Sequence, residues 1–171
     1  MILNKVLVTL TSGFLLAGLS GLASGQEKAT APEIVKNVQA AANTLAKSGA
    51  AGLADFGKKP SPWVWKDTYI FVLDCTKGVM AAHPMKPELV GKDVLTMKDT
   101  KGTLFFGKLC EVAKSPSGGW VEYWWPKPGE SDGSRKVSYA VAASGTAYVV
   151  GAGIYDDQAA IADLAKLSGG N

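Results

Sequence analysis

Histidine is almost absent from this sequence: His83 stands alone, and with it goes any chemistry that needs two imidazoles in one place. The chain has two cysteines, Cys75 and Cys110, and no CxxC spacing, so a cysteine metal centre has no starting point. There is no GxSxG, no HExxH, no phosphate-binding loop and no cluster of carboxylates, which leaves no catalytic constellation to assemble. A cysteine nucleophile would need its thiol pKa lowered near His83, and disulfide formation would remove it. The expectation is a protein that is not an enzyme and uses no cofactor. A strong excess of one charge is missing too: 18 basic and 15 acidic residues give a net charge of +3, and the lysines are scattered rather than gathered in a stripe. Nucleic acid is therefore not an expected partner. Internal repeats and low-complexity tracts are also absent.

What is present is an ordinary globular composition, 47% apolar and 19% charged over 171 residues, enough for one domain with a core. Residues 1–25 differ from the rest. Lys5 is their only charged side chain, the apolar run VLVTLTSGFLLAGLSGLA follows, and small residues stand at Ala23, Ser24 and Gly25. Basic start, apolar middle and small-residue end make an export signal, with the domain occupying 26–171 and a periplasmic or secreted location. The alternative is an uncleaved anchor, since the run approaches the ~18 residues of a span; membrane association is expected only in that case. In an oxidising compartment Cys75 and Cys110 read as a disulfide, with two buried free thiols as the alternative.

Periodicity divides the exported part. PEIVKNVQAAANTLAKS (32–48) carries apolar residues at spacings of three and four between Pro32 and Gly49, an amphipathic helix. The Gly- and Pro-rich stretch AAGLADFGKKPSPWVW reads as an irregular connection. TYIFVLD (68–74) and GVMAAH form a hairpin, residues 84–102 are broken by turn signals, and TLFFGKLCEVAKS suits a helix. GGWVEYWW, RKVSYAVAAS and TAYVVGAGIY form a three-stranded meander, and DDQAAIADLAKL a last helix. The fold class is α+β: an antiparallel sheet of five strands, with a sixth as the alternative, a long N-terminal helix, and short helices between the second and third strands.

These stretches resemble the Cache family, in particular its single-Cache type, which is related to PAS domains. The resemblance rests on YIFVLDCTKGVMAAHP (69–84), ELVGKDV (88–94), KDTKG (98–102), GGWVEYWWPKPG (118–129), RKVSYA (135–140) and VVGAGIYDD (149–157), in that order. It implies a PAS-like sheet with a small-molecule pocket between the sheet and the middle segment. It also implies an extracytoplasmic sensor of chemotaxis or kinase signalling that recognises a small organic acid. No second span, coiled coil or signalling module follows GIYDD in this sequence, so the expectation is a stand-alone exported protein whose partner is a membrane receptor or kinase.

Within that frame, residues 118–139 hold three tryptophans, two tyrosines and the pair Arg135 and Lys136. Alternation puts Val121, Tyr123 and Trp125 on one face of their strand and Trp120, Glu122 and Trp124 on the other. On the partner strand Arg135, Val137 and Tyr139 alternate with Lys136 and Ser138. A carboxylate entering an apolar pocket loses hydration and needs donors in return. The candidate ligand-binding set is His83, Tyr123, Trp125, Arg135, Lys136 and Tyr139; which of the two cations faces the pocket stays open, because register is not readable to one residue. The bland readings are cross-strand packing for the rings, solvated surface for the cations and a hydrogen-bonded structural role for His83. Asp74, Asp93 and Asp99 read as turn residues. A competing function is a protein-docking module built on the aromatic hairpin 118–139.

Overall fold

A computed structural model of the chain describes residues 26–169. The leader read at 1–25 lies outside them. Helix α1 (Ala31–Ser48) begins where Thr30 donates its backbone N–H to the Glu33 carboxylate at 2.8 Å, and it buries Ile34, Val35, Val38, Ala41, Ala42 and Leu45 along one stripe. A 3₁₀ turn (Gly49–Gly52) leads into the single-turn helix α2 (Leu53–Phe56), and β1 (Val64–Trp65) pairs with β2 (Thr68–Tyr69) in a small hairpin of its own. Then come β3 (Phe71–Asp74), β4 (Val79–Ala82), a 3₁₀ turn at Pro87–Leu89, α3 (Phe105–Val112), β5 (Gly119–Pro126), β6 (Gly133–Ala142), β7 (Tyr148–Ile154) and α4 (Ile161–Leu167). No helix among the described residues is long and apolar enough to cross a membrane.

The α+β class is as expected. Five strands form one antiparallel sheet in the order β4-β3-β7-β6-β5, so the hairpin β3–β4 joins the meander β5–β6–β7 by pairing β3 with β7. Two cores result, one per face. Against α1 lie Ile70, Val72, Val137, Tyr139, Val150 and Ala152; against α3 and the 84–103 segment lie Tyr69, Phe71, Leu73, Val121, Tyr123 and Trp125. Two glycines of β7 let the sheet pack this closely. A Cβ on Gly151 would stand 2.5 Å from the Phe71 ring, and one on Gly153 would stand 2.3 Å from Ser138 Oγ.

Three boundaries differ from the sequence reading. The run 68–74 is two strands, because Ile70 turns its N–H to the Trp63 carbonyl at 2.8 Å instead of continuing one ladder. The stretch read as irregular hides α2 and β1, which are too short to show a period. The last helix starts at Ile161 rather than Asp156. Asp156 caps its own turn by accepting from Gln158 N–H at 2.7 Å, and Arg135 holds the Asp156 and Ala159 carbonyls.

Candidate functional site

Register decides which cation faces inward. Tyr123 lies opposite Lys136 in the β5–β6 ladder, and Trp124 opposite Arg135. Lys136 therefore shares the α3-side face with Tyr123, Trp125 and Ser138, whereas Arg135 shares the α1-side face with Val137 and Tyr139. Lys136 is fully buried, and its ammonium nitrogen has no hydrogen-bond partner among the described residues. Aromatic rings surround it: Nζ stands 4.2 Å from the Tyr69 ring centre, 4.9 Å from that of Tyr155 and 5.9 Å from that of Phe71. Cation–π attraction offsets part of the lost hydration, yet three N–H donors are left with nothing to donate to. Desolvation lowers the Lys136 pKa to about 7, against the opposing pull of the Asp67 carboxylate.

His83 follows β4 and is buried beside the same rings, its ring centre 4.9 Å from Tyr69 and 6.0 Å from Trp125. Its Nδ1 accepts the backbone N–H groups of Met85 at 3.2 Å and Lys86 at 2.9 Å. Two donors on Nδ1 leave the ring proton on Nε2, so the imidazole offers one donor to the cluster. Burial, and then the fields of Lys136 and Lys86, depress its pKa to about 3 and keep it neutral. The hydroxyls form a second layer. Trp125 Nε1 donates to Tyr69 Oη at 2.9 Å, Tyr123 Oη and Ser138 Oγ are 2.8 Å apart, and Tyr155 donates to the Pro126 carbonyl at 2.7 Å. Burial pushes the Tyr69, Tyr123 and Tyr155 phenols well above their usual range, so all three stay neutral donors.

Four of the six expected residues, His83, Tyr123, Trp125 and Lys136, thus converge. The other two do not. Arg135 pairs with the Glu122 carboxylate and with two carbonyls near α4, and Tyr139 donates to the Ser117 carbonyl on the α1 side at 2.7 Å. Tyr69 and Tyr155 complete the cluster and were missed. Tyr69 sits in YIFVLD and Tyr155 in GIYDD, both within stretches that carried the family resemblance, but their meeting with Lys136 depends on the pairing of β3 with β7. The aromatic hairpin turns its rings inward, with Trp120, Tyr123 and Trp125 between 2% and 8% exposed.

The segment 84–103 covers the cluster. Asp99 fastens it to β5 by accepting Trp124 N–H at 3.0 Å and, through its other oxygen, the N–H groups of Lys101 and Thr103. Asp74 and Asp93 likewise accept backbone N–H groups in their turns, as read from sequence. A cleft of 280 Å³ between this segment and the sheet edge, lined by Lys86, Leu89, Met97 and Trp125, abuts the enclosed group through Trp125. A polar cleft of 520 Å³ reaches the group at Tyr155. A groove of 530 Å³ between α3, β5 and α4 contains no part of the cluster, and its Glu122 is already paired with Arg135. Among the described residues no group of three or more His, Cys, Asp or Glu side chains could hold a metal ion.

The family model described as Cache domain, dCache_2, matches residues 64–160, more than half of the sequence. The chain is 32% identical over 91 residues to the methyl-accepting chemotaxis protein McpP of Pseudomonas putida, covering 53% of this chain and 16% of that protein. It is 34% identical over 92 residues to the sensor histidine kinase MctS of Rhizobium johnstonii, covering 54% and 20%. The matches thus span at most a fifth of those relatives' length. Among solved structures, a periplasmic sensor domain of a chemotaxis protein superposes with a TM-score of 0.57 at 26% identity, covering 72% of this chain and 93% of that one. A Cache chemosensory domain, described for its carboxylic acid recognition, superposes at 0.56 with 29% identity, covering 72% and 86%.

Proposed function

Because the chain belongs to the Cache domain family, we propose that it is a non-catalytic extracytoplasmic sensory domain that binds a small organic carboxylate and passes that state to a membrane receptor or kinase. The observation that carries the reading is the buried, unpartnered ammonium of Lys136. In a structural core such a group is destabilising; in a receptor it is the half of an ion pair that the ligand completes. His83 Nε2–H supplies a second donor, and Tyr69, Tyr155 and Trp125 make the walls. The site carries one positive charge at most, since His83 stays neutral, so it suits a single carboxylate better than two. Entry runs by the cleft beside Trp125, with displacement of the 84–103 segment. The similarity to a domain described for carboxylic acid recognition supports the same class. The docking alternative has little to work with, because the hairpin's rings lie in the core.

The test is a calorimetric and thermal-shift titration of the exported domain at pH 6 with acetate, propionate, pyruvate, lactate and succinate. One or more of the monocarboxylates raises the melting temperature by several degrees, as a ligand that binds only the folded form does. Lys136→Met abolishes that response while remaining folded by circular dichroism. An unchanged response in the variant removes Lys136 from the site, and silence of every acid overturns the reading.

A further inference from the structure

Few groups can change charge around the Lys136 ammonium. From β2 it is faced by Tyr69, from the β5 position directly opposite by Tyr123, from the end of β7 by Tyr155 and from the end of β4 by His83. The tyrosines stay uncharged through the neutral range because burial raises their phenols. His83 stays uncharged because its Nδ1 is taken by two backbone donors and burial opposes a second ring proton. Lys86 lies outside this shell, 5.6 Å from the Trp125 ring. Asp67, in the β1–β2 turn, is the carboxylate whose field reaches Lys136, and its Oδ1 is occupied by the Ala29 N–H at 2.7 Å. Among the groups that face it, Lys136 is thus the one cation, and it has no hydrogen-bonded partner among the described residues.

We propose that this site takes up a proton when it binds an anion, so that the domain reads anion concentration and acidity together; the inference rests on the anion-binding reading of Lys136. Without an anion, the fully buried nitrogen has no hydrogen-bonded counter-ion among the described residues to hold its third proton. With a carboxylate in contact, the charged form gains a partner and up to three acceptor contacts, which shifts the same nitrogen toward ammonium. The two states differ in bound protons, and linkage makes affinity depend on pH wherever they differ. Desolvation places the free site's transition at about pH 7. Below it the ammonium is present beforehand and affinity is flat; above it each binding event draws one proton from solvent and affinity falls.

The experiment is pyruvate and acetate titration calorimetry on the exported domain from pH 5.5 to 9.5, in buffer pairs of different ionisation enthalpy. It is joined to an NMR titration of lysine labelled with ¹³C at Cε, with the Lys136 signal assigned by its loss in Lys136→Met. The expected result is an apparent Kd that is flat below pH 6.5 and rises about tenfold per pH unit above pH 7.5. Proton uptake goes from near zero at pH 6 to about one per anion at pH 8.5, and the Lys136 signal titrates near neutrality in the free domain. Lys136→Arg, whose guanidinium does not deprotonate, binds with no such pH slope. Binding at pH 6 whose affinity and proton count stay constant to pH 9.5 overturns the proposal and leaves the anion site standing. A Lys136 signal that titrates with the surface lysines overturns it as well. Absence of binding at pH 6 removes both.

Discussion

An ammonium enclosed by protein loses hydration that aromatic faces only partly replace, and Lys136 sits in that position on β6. The sign of its effect on stability follows from its two pKa values. The unfolded chain holds the proton up to the ordinary value of 10.5, whereas the folded form releases it at about 7. Across that window the unfolded state binds more protons, so stability rises with pH, by about 1.4 kcal/mol per unit. His83 follows the same sign over a separate range, between about 3 and its ordinary 6.5. Urea unfolding of the ligand-free domain from pH 7.5 to 9.5 is therefore expected to show a rising midpoint for the native protein and a flat one for Lys136→Met, with the variant more stable at the lower end. Parallel curves would mean that Lys136 is hydrated in the folded state. The alternation that set Lys136 apart from Arg135 was legible in RKVSYA, because a strand's side chains change face at every residue. Which of the two faced inward was not legible, because that depends on pairing Tyr123 with Lys136 rather than with a neighbour, and pairing is a property of two segments.

At the level of elements, the same division between local and long-range information recurs. The amphipathic stripe of α1, the β3–β4 hairpin and the β5–β6–β7 meander each follow from patterns within a dozen or so residues, and all three are present, although the hairpin's first strand begins at Phe71 instead of Thr68. β1 and α2 do not show in the sequence because two residues of strand and one turn of helix carry no period, and they flank the Pro60–Pro62 stretch, whose composition reads as a loop. The joining of β3 to β7 is also long-range, and it is what brings Tyr69 and Phe71 over Lys136. The glycines of β7 make that junction possible. Gly151→Ala puts a methyl carbon 2.5 Å from the Phe71 ring, which is itself almost fully buried and cannot swing away. The expected loss is about 1–3 kcal/mol in urea unfolding, with weakened anion binding as the ring moves toward Lys136. Gly107→Ala is the control: it lies inside α3 with open space around it, so helix propensity acts alone and stability holds or rises by up to ~1 kcal/mol. Equal effects at the two glycines would deny β7 its special role.

For the molecule as a whole, the segment over the Lys136 cluster is held to a sheet that it crosses with few strand pairings. The 84–103 stretch is joined to β4 by the isolated bridges Val79 to Asp93 and Met80 to Val90, and to β5 by Asp99. The larger constraint is covalent. Cys75, just past β3, is bonded to Cys110 in α3, with Cα atoms 5.8 Å apart and a sequence separation of 35. That loop contains β4, His83, the covering segment and most of α3, so the bond limits how far one wall of the site can depart from the other without fixing its internal geometry. Closing a loop of this length removes chain entropy from the unfolded state worth about 4 kcal/mol. Replacing both cysteines with serine is expected to lower stability by up to that amount. Loss should be uneven, because α1 packs on β6 and β7 in the core on the other face of the sheet, whereas α3 and the covering segment lie within the loop or at its end. Hydrogen exchange on the double variant should show protection falling first in residues 76–112 and holding in α1, β6 and β7, with anion affinity falling alongside. Uniform loss of protection across both cores would show instead that the bond stabilises the domain only globally and has no particular hold on the wall of the site.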